Sequence, residues 1–413
     1  SVTVEKVFFH TEIVLHRSLP KKYTRVRWIA THTVHRIPYT GGIQGVVHSI
    51  KRTRSFTRPF FMSVYFVTDP SFLNLSLIFL IFSISIFGSQ AIGHAPIGVM
   101  ADHTHEKGES MLSIRASYMK MRGNISEGNS ISDSEILTFE NPHSNSPANL
   151  SVVPIEMSMK MLMIGGMYAP SDEITLMLMT MFMDKSMNLN TFHGMSRNHL
   201  GSFSTSSEDL SDISFSTLIN ITENKKSRWH AEIGLRKSLG SNSKKAKMLT
   251  PMNTTMTMLL PYGMQSGDKS TSLVFAFTNA YSLSDIHLFG NQLRIIQNIS
   301  SKDWHFGNKI YWDSWYQYSF NRVFSFSSRL RFTHQEQISG SNILITAPVQ
   351  TTITSNYGGF TGDLGVGFNF LTSIFSGSED RLAVEIVKPI HYEKNGLQMK
   401  DEVQLIFGFQ KSF

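Results

Sequence analysis

Through much of the chain, residues of one kind recur at every second position. Met157, Met159, Met161 and Met163 hold one parity, while Leu162, Ile164 and Tyr168 hold the other. Met177, Met179, Met181 and Met183 alternate in the same way with Ile174, Leu176, Leu178 and Phe182. A period of two puts each set on one face of a β-strand and would scatter it around a helix. Both faces are apolar, one thioether and the other aliphatic or aromatic. A surface sheet in water has a polar face; a strand between lipid and a protein interior does not need one.

From residue 109 onward the pattern predicts twelve strands, at about 111–121, 154–168, 173–185, 210–222, 228–239, 270–281, 286–298, 308–320, 323–336, 360–371, 381–391 and 401–413. Each is near or somewhat above the roughly 9–11 residues that cross a bilayer as a tilted strand. Ala169-Pro170-Ser171-Asp172, 222–227, 282–285 and 321–322 are tight connections. Segments 122–153, 187–209, 241–269, 299–307 and 337–359 are long and rich in Ser, Asn, Thr and Gly. Short turns on one side, long solvated loops on the other and an even strand number describe an outer-membrane barrel with both termini on the periplasmic side. The expected fold is all-β, an antiparallel transmembrane β-barrel of about twelve strands spanning 111–413.

The last strand fits this reading. Leu405, Phe407, Phe409 and Phe413 share a parity broken by Lys411. An alternating strand that ends on an aromatic resembles the signal read by the barrel-assembly machinery, which makes Phe407, Phe409 and Phe413 the expected assembly residues. A long apolar edge strand would aggregate in water, and barrel closure removes the edge. Trp304, Tyr311, Trp312, Trp315, Tyr316 and Tyr318 cluster as an interfacial aromatic girdle would.

Charge divides the chain. Residues 1–91 carry 11 Lys/Arg against 3 Asp/Glu, and residues 92–413 carry 27 against 28. The basic excess belongs to the leader, so the body lacks the basic face that a nucleic-acid partner requires. Residues 1–61 are basic, without periodicity, and are expected not to fold. Residues 62–91 contain the apolar run Phe72–Phe87 followed by Gly88-Ser89-Gln90-Ala91, which reads as a signal peptide cleaved after Ala91 and directs export through the periplasm to the bacterial outer membrane. A single membrane anchor is the alternative for that run. There is no cysteine, which excludes disulfides, thiolate metal sites and a cysteine nucleophile.

Segment 92–110 opens His94-Ala95-Pro96-Ile97-Gly98-Val99-Met100-Ala101-Asp102-His103-Thr104-His105, with Lys107-Gly108-Glu109 after it. Met167-Tyr168-Ala169-Pro170-Ser171-Asp172, Leu260-Pro261-Tyr262 with Met264-Gln265 and Gly267, Arg381–Glu385 with Pro389 and Tyr392, and Gly408-Phe409-Gln410-Lys411-Ser412-Phe413 accompany it. Together these stretches resemble a Gram-negative outer-membrane transporter-like barrel family of the meta-pathway phenol-degradation type, in a subgroup with an N-terminal HAPIGVM-x-DH-x-H segment. The family's Gly-Leu-Gly-Asp-Leu element stands here as Glu208-Asp209-Leu210-Ser211-Asp212, and its Leu-Pro-Thr-Gly turn as Ser238-Leu239-Gly240. The resemblance implies export and a barrel, and leaves the solute open.

The first strand orients the faces. Met111, Ser113, Arg115, Ser117, Met119 and Met121 oppose Leu112, Ile114, Ala116 and Tyr118. An arginine facing lipid at mid-bilayer costs about 2–4 kcal/mol, so the Arg115 face is the expected inner one. The expected lumen lining is then Met111, Arg115, Met119, Met121, Met157, Met159, Met161, Met163, Met177, Met179, Met181 and Met183. Lys160 lies opposite the methionines and would snorkel from a strand end. Thioethers suit Cu(I); methionine also fills irregular interiors because it is flexible.

His94, Met100, Asp102, His103 and His105 form the candidate metal set, with Glu106 and Glu109 beside them. Imidazole with thioether suits copper, and imidazole with carboxylate suits zinc or nickel. The segment is either periplasmic or tucked into the barrel, and a solvated polar tether is the plain alternative. The expected function is an outer-membrane channel or binding barrel for a small solute, copper or another soft metal ion being one. Two alternatives stand beside it: passive uptake of small hydrophobic compounds, and a lipid hydrolase pairing a serine with His143, His193 or His199. No Gly-x-Ser-x-Gly, His-Glu-x-x-His or phosphate loop is present, so no enzyme is expected. The expected partners are outer-membrane lipid, the assembly machinery and the solute, with no required cofactor.

Overall fold

A computed structural model describes residues 4–12, 23–35, 60–67, 90–143, 147–224, 226–372 and 380–413. Residues 1–84 and 85–413 are separate units. In the first, Val4–Glu12, Tyr23–His35 and Phe60–Val67 pair as an antiparallel sheet. Most of the basic leader and the whole apolar run of the expected signal peptide lie outside the described residues.

The second unit contains twelve long strands: β1 (Ser110–Ser126), β2 (Val152–Ser171), β3 (Ile174–Phe192), β4 (His199–Glu223), β5 (Ser227–Ser238), β6 (Thr271–Ser284), β7 (His287–Ser300), β8 (Lys309–Asn321), β9 (Phe324–Gln335), β10 (Gly359–Thr372), β11 (Asp380–Lys394) and β12 (Leu397–Ser412). Each pairs antiparallel with its sequence neighbours. β12 returns to β1, with Phe407 opposite Ala116 and Gly408 opposite Arg115. The sheet is therefore a closed antiparallel barrel with no free edge, the architecture of a transmembrane β-barrel.

Burial alternates with the pleat and runs opposite to that of a soluble protein. Leu112, Leu178, Phe215, Trp312 and Phe407 are exposed on the outside, whereas Arg115, Ser216, Glu385 and Arg329 are buried within. Outward charge appears where Lys160 pairs with Asp184 at 3.2 Å. From Met161 to Ser171 the remainder of β2 has eleven residues, matching the roughly 9–11 that a tilted strand needs to cross the hydrocarbon. Lys160 thus marks the outer edge of the apolar band. Phe407 and Phe413 face outward, and Phe409 is half-buried.

One expected boundary changes. Segment 187–209, read as a solvated loop, is mostly strand: β3 continues to Phe192 and β4 starts at His199. Above the bilayer an outward residue can be polar, so Ser202, Ser204 and Ser206 occupy positions that lipid would deny them. The loop between β5 and β6 carries its own hairpin, Lys245–Leu249 with Thr255–Leu259.

Candidate functional site

Strands β1–β3 carry the methionines in cross-strand rows. Met111, Met167 and Met177 form one row; Arg115, Met163 and Met181 another; Ser117, Met161 and Met183 a third; Met121, Met157 and Met187 a fourth. Met119 stands opposite Met159, and Met159 opposite Lys185. Met179 faces Gly165. All share the buried parity with Arg115, so these three strands present a sulfur-rich wall to the interior.

The wall is longer than the expected lining. Met167 and Met187 extend it, and Met248, Met264 and Met399 pack against its upper part. Met187 keeps the odd parity of Met177–Met183 and was legible on that ground, had the strand not been ended at Lys185. The other three sit in the loop between β5 and β6 or on β12, the strand that closes against β1, where no methionine period marks them.

Two cavities lie along the upper wall. An outer one of about 770 Å³ is framed by Met187, Leu189, Met248, Met252, Met256 and Met258. An inner one of about 420 Å³ is framed by Met119, Met121, Met157, Met159, Met183 and Met187. Met187 and the segment Pro261–Gln265 form the partition. Lys185 holds that segment by donating to the carbonyls of Gly263 and Gln265, at 2.9 and 2.6 Å. The inner cavity is level with or above the Lys160 edge.

Below it the lumen is filled by the chain's own residues 91–102. The wall of β5–β11 binds their backbone almost residue by residue. Arg228 donates to the Gly93 carbonyl, Gln317 and Asn369 to that of His94, Arg381 to that of Ala95 and Arg331 to that of Gly98. Glu385 accepts from the Gly98 amide at 2.8 Å, Gln292 donates to the Met100 carbonyl, and His230 Nε2 lies 2.8 Å from that of Ala101. These contacts explain why so many polar groups are buried: they replace the strand partners that the plug's amides and carbonyls lack.

The same wall is ionic and paired. Arg329 bridges Asp313 at 2.8 Å and Glu385 at 2.7 Å, Arg331 grips both oxygens of Asp313, and Arg294 pairs with Glu232. Gly98 is required where the plug meets this network, because a methyl group there would collide with the Arg329 guanidinium and the Glu385 carboxylate. Gly408 similarly admits the Ile97 side chain.

On the methionine side, Arg115 donates to the carbonyls of Ile97 and Val99, both at 2.9 Å, and meets the Met100 sulfur. The remaining contact there is apolar: Ala101 packs with Met111, Met167, Met177 and Leu218. A void of about 20 Å³ is left between the plug and Met163 and Met179. That is room for about one water.

At the plug's foot, donor atoms of His94, Asp102 and His103 lie within 4.8 Å of one another. His94 and His103 border a cavity of about 340 Å³ at the short-turn end of the barrel, which His105 also lines. The rings of His94 and His103 are 5.1 Å apart, and those of His103 and His105 are 4.8 Å apart. Burial, and then the charge of Arg381, holds the His94 imidazole well below its ordinary pKa. Burial likewise lowers His105 to about 4, against the pull of Glu109. Both are neutral near pH 7. Of the expected metal set, Met100 stands apart, its sulfur turned to Arg115.

The loop histidines do not form a catalytic pair among the described residues. His143 bonds Thr352, His193 Nδ1 accepts from the amides of Met195 and Ser196, and His199 meets Phe192 edge to face.

No protein-family model matches the sequence, and no curated protein does. Among solved structures, an outer-membrane channel from Pseudomonas putida F1 is similar at 12% identity and a TM-score of 0.48, over 76% of this chain and 98% of that one. The translocator domain of the autotransporter NalP from Neisseria meningitidis is similar at 7% identity and a TM-score of 0.38, over 76% and 90%. A Pseudomonas aeruginosa FadL homologue is similar at 8% identity and a TM-score of 0.34, over 74% and 90%.

Proposed function

We propose that the protein is a channel of the bacterial outer membrane that passes small, weakly polar solutes along its methionine wall, with residues 91–102 as the stopper. The outer membrane is inferred from a closed barrel with an apolar outer band, long loops at one end and short turns at the other. The observation that carries the function is the continuity of the thioether rows. They run from the two upper cavities down to the plug, where a one-water void is the remaining gap.

Methionine suits such a path. It is apolar, polarizable and flexible, so a wall of it repacks around guests of different shape. It binds none of them strongly, as conduction requires. Outer-membrane lipid bathes the outside, and Phe407, Phe409 and Phe413 remain the residues offered to the assembly machinery. No covalent chemistry enters this reading.

A second reading follows from the same rows. Residues directly opposite on paired strands have Cβ atoms roughly 4.5–5.5 Å apart, a spacing over which a cuprous ion could pass between thioethers. The two readings separate on one substitution set. In proteoliposomes, Met161→Leu, Met163→Leu and Met181→Leu together keep the path apolar but remove its sulfur. Retained flux of uncharged apolar solutes with unchanged copper flux supports the first reading. Loss of copper flux alone supports the second. Flux of neither, in the wild type and in a plug-loosened variant alike, removes both.

A further inference from the structure

We propose that the foot of the plug is a binding site for a borderline divalent transition-metal ion of the Cu(II), Ni(II) or Zn(II) class, held by His94, Asp102 and His103. The proposal does not depend on what the channel passes.

Three observations carry it. Donor atoms of the three residues already lie within 4.8 Å of one another. With metal–ligand bonds of about 2.1 Å, the ligand atoms of a tetrahedral ion stand about 3.4 Å apart, so the widest pair has to close by up to about 1.4 Å through side-chain rotation.

Next, two imidazole nitrogens lack other work, and a third is paired only with the proposed ligand Asp102. His94 Nδ1, His103 Nδ1 and His105 Nε2 are buried without hydrogen-bond partners. His103 and His105 are themselves 9% and 6% exposed. His103 Nδ1 lies 3.1 Å from Asp102 Oδ1, off hydrogen-bonding geometry. Buried polar atoms left so are rare in native proteins and call for a partner.

Finally, a supporting shell is present. Asp102 Oδ2 accepts from the Ala95 amide at 2.9 Å, which fixes the carboxylate. Beside the set, Glu109 lies 3.3 Å from His105 Nδ1 and orients that neighbouring ring. The surroundings also carry the right charge. Asp102, Glu109 and Glu223 provide three carboxylates near the site, against the guanidiniums of Arg228 and Arg381, both already engaged with plug carbonyls.

The donor set selects the metal class. Two imidazoles with a carboxylate suit borderline divalent ions. The thioether of Met100, which would have favoured Cu(I), is held by Arg115 instead. The ligands come from both ends of the loop 95–101, so a bound ion cross-links the base of the plug.

The test is titration of the full chain in detergent, first stripped with a chelator, with Cu(II) alone and then Zn(II) alone. Calorimetry of the wild type is expected to show a tight step of one equivalent, and the Cu(II) electron paramagnetic spectrum to show splitting by two nitrogens. His94→Gln with His103→Gln removes that step. Histidines elsewhere, in the leader above all, bind equally in both proteins, so the difference reports the plug. An unchanged step in the double variant, or a wild-type spectrum without nitrogen splitting, overturns the proposal. Heat-modifiable migration checks that the variants remain folded. Should the double variant fail there, the near-isosteric Asp102→Asn decides: loss of the step supports the site, and its persistence sinks it.

Discussion

Strands β1–β3 and strands β5–β11 face the same plug with opposite chemistry. On the β5–β11 side, Arg228, His230, Gln292, Gln317, Arg331, Asn369, Arg381 and Glu385 each contact a backbone group of residues 93–101. On the β1–β3 side Arg115 alone does so for that stretch among the described residues, and the rest of the contact is thioether against Ala101. A hydrogen bond to a charged group contributes about 1.5–3 kcal/mol, and a buried charge left unpaired costs more than the bond was worth. Sliding methionine along an apolar surface leaves no polar group unsatisfied. The plug is thus anchored on one side and merely in contact on the other, and a passage opens most readily along the methionines.

The largest break in this comparison is Glu385→Ala. It takes from Arg329, which is 2% exposed, one of its two carboxylate partners, leaving Asp313 at 2.8 Å, and it releases the Gly98 amide. Leaving a buried charge with no partner costs about 3–5 kcal/mol; with Asp313 still beside Arg329, the loss should lie near the lower end, about 3 kcal/mol. Denaturant unfolding in detergent should register that loss, and planar-bilayer recording should show a higher open probability. If conductance stays at the wild-type level while stability falls, the ionic wall supports the barrel without holding the plug.

Gly98→Val comes next. The added side chain meets the Arg329 guanidinium and the Glu385 carboxylate, and overpacking of this kind costs about 1–3 kcal/mol. Here the charges remain, so a smaller stability loss with the same gain in conductance isolates the plug from the barrel. The chain has no cysteine. A single Ala101→Cys reporter therefore labels cleanly with a maleimide, and faster labelling in the Gly98→Val background reads plug displacement directly. Equal labelling rates would mean that the plug absorbs the change in place.

The two walls also differ in how far they could be read from residues alone. The methionine wall was legible because lipid on one side and a closed interior on the other force strict alternation, and Arg115 told the faces apart. Legibility ended where the bilayer ends. Beyond Lys160 and Asp184 the outer face meets water, so the strand positions at Asn188, Asn190, Ser202 and Ser204 look like loop. The ionic wall was not legible as a plug seat. Arg381 reaches Ala95 across 286 positions and Gly98 reaches Glu385 across 287, and nothing local in either segment announces such a pairing. The histidine cluster was half legible. His103 and His105 stand two apart, but His94 joins them because residues 95–101 turn back within the lumen.

Substituting Met161→Ser, Met163→Ser and Met181→Ser sharpens the comparison from the other side. Each change removes about two methylene equivalents of apolar surface, at about 0.8 kcal/mol apiece, from a wall that gives the plug no directed bond. Flux of apolar solutes through proteoliposomes should drop several-fold, while the plug reporter at Ala101 labels as before. A faster-labelling reporter would show that the sulfur wall, too, fastens the plug.

The smallest expected effect tests where the bilayer lies. Lys160 and Asp184 meet at 3.2 Å with side chains 67% and 45% exposed, so their pairing is worth about 0.2–1 kcal/mol at most. If they mark the outer edge, Lys160→Ala should leave both stability and flux near wild type, because neither side chain touches the lumen or the acyl chains. Spectroscopic probes at position 160 should report headgroup polarity, and probes at Leu162 the hydrocarbon. A hydrocarbon signal at 160 would move the inner cavity down into the membrane. The solute would then meet its first methionines inside the bilayer plane rather than above it, and the plug would block the lower half of a buried path instead of the whole of one.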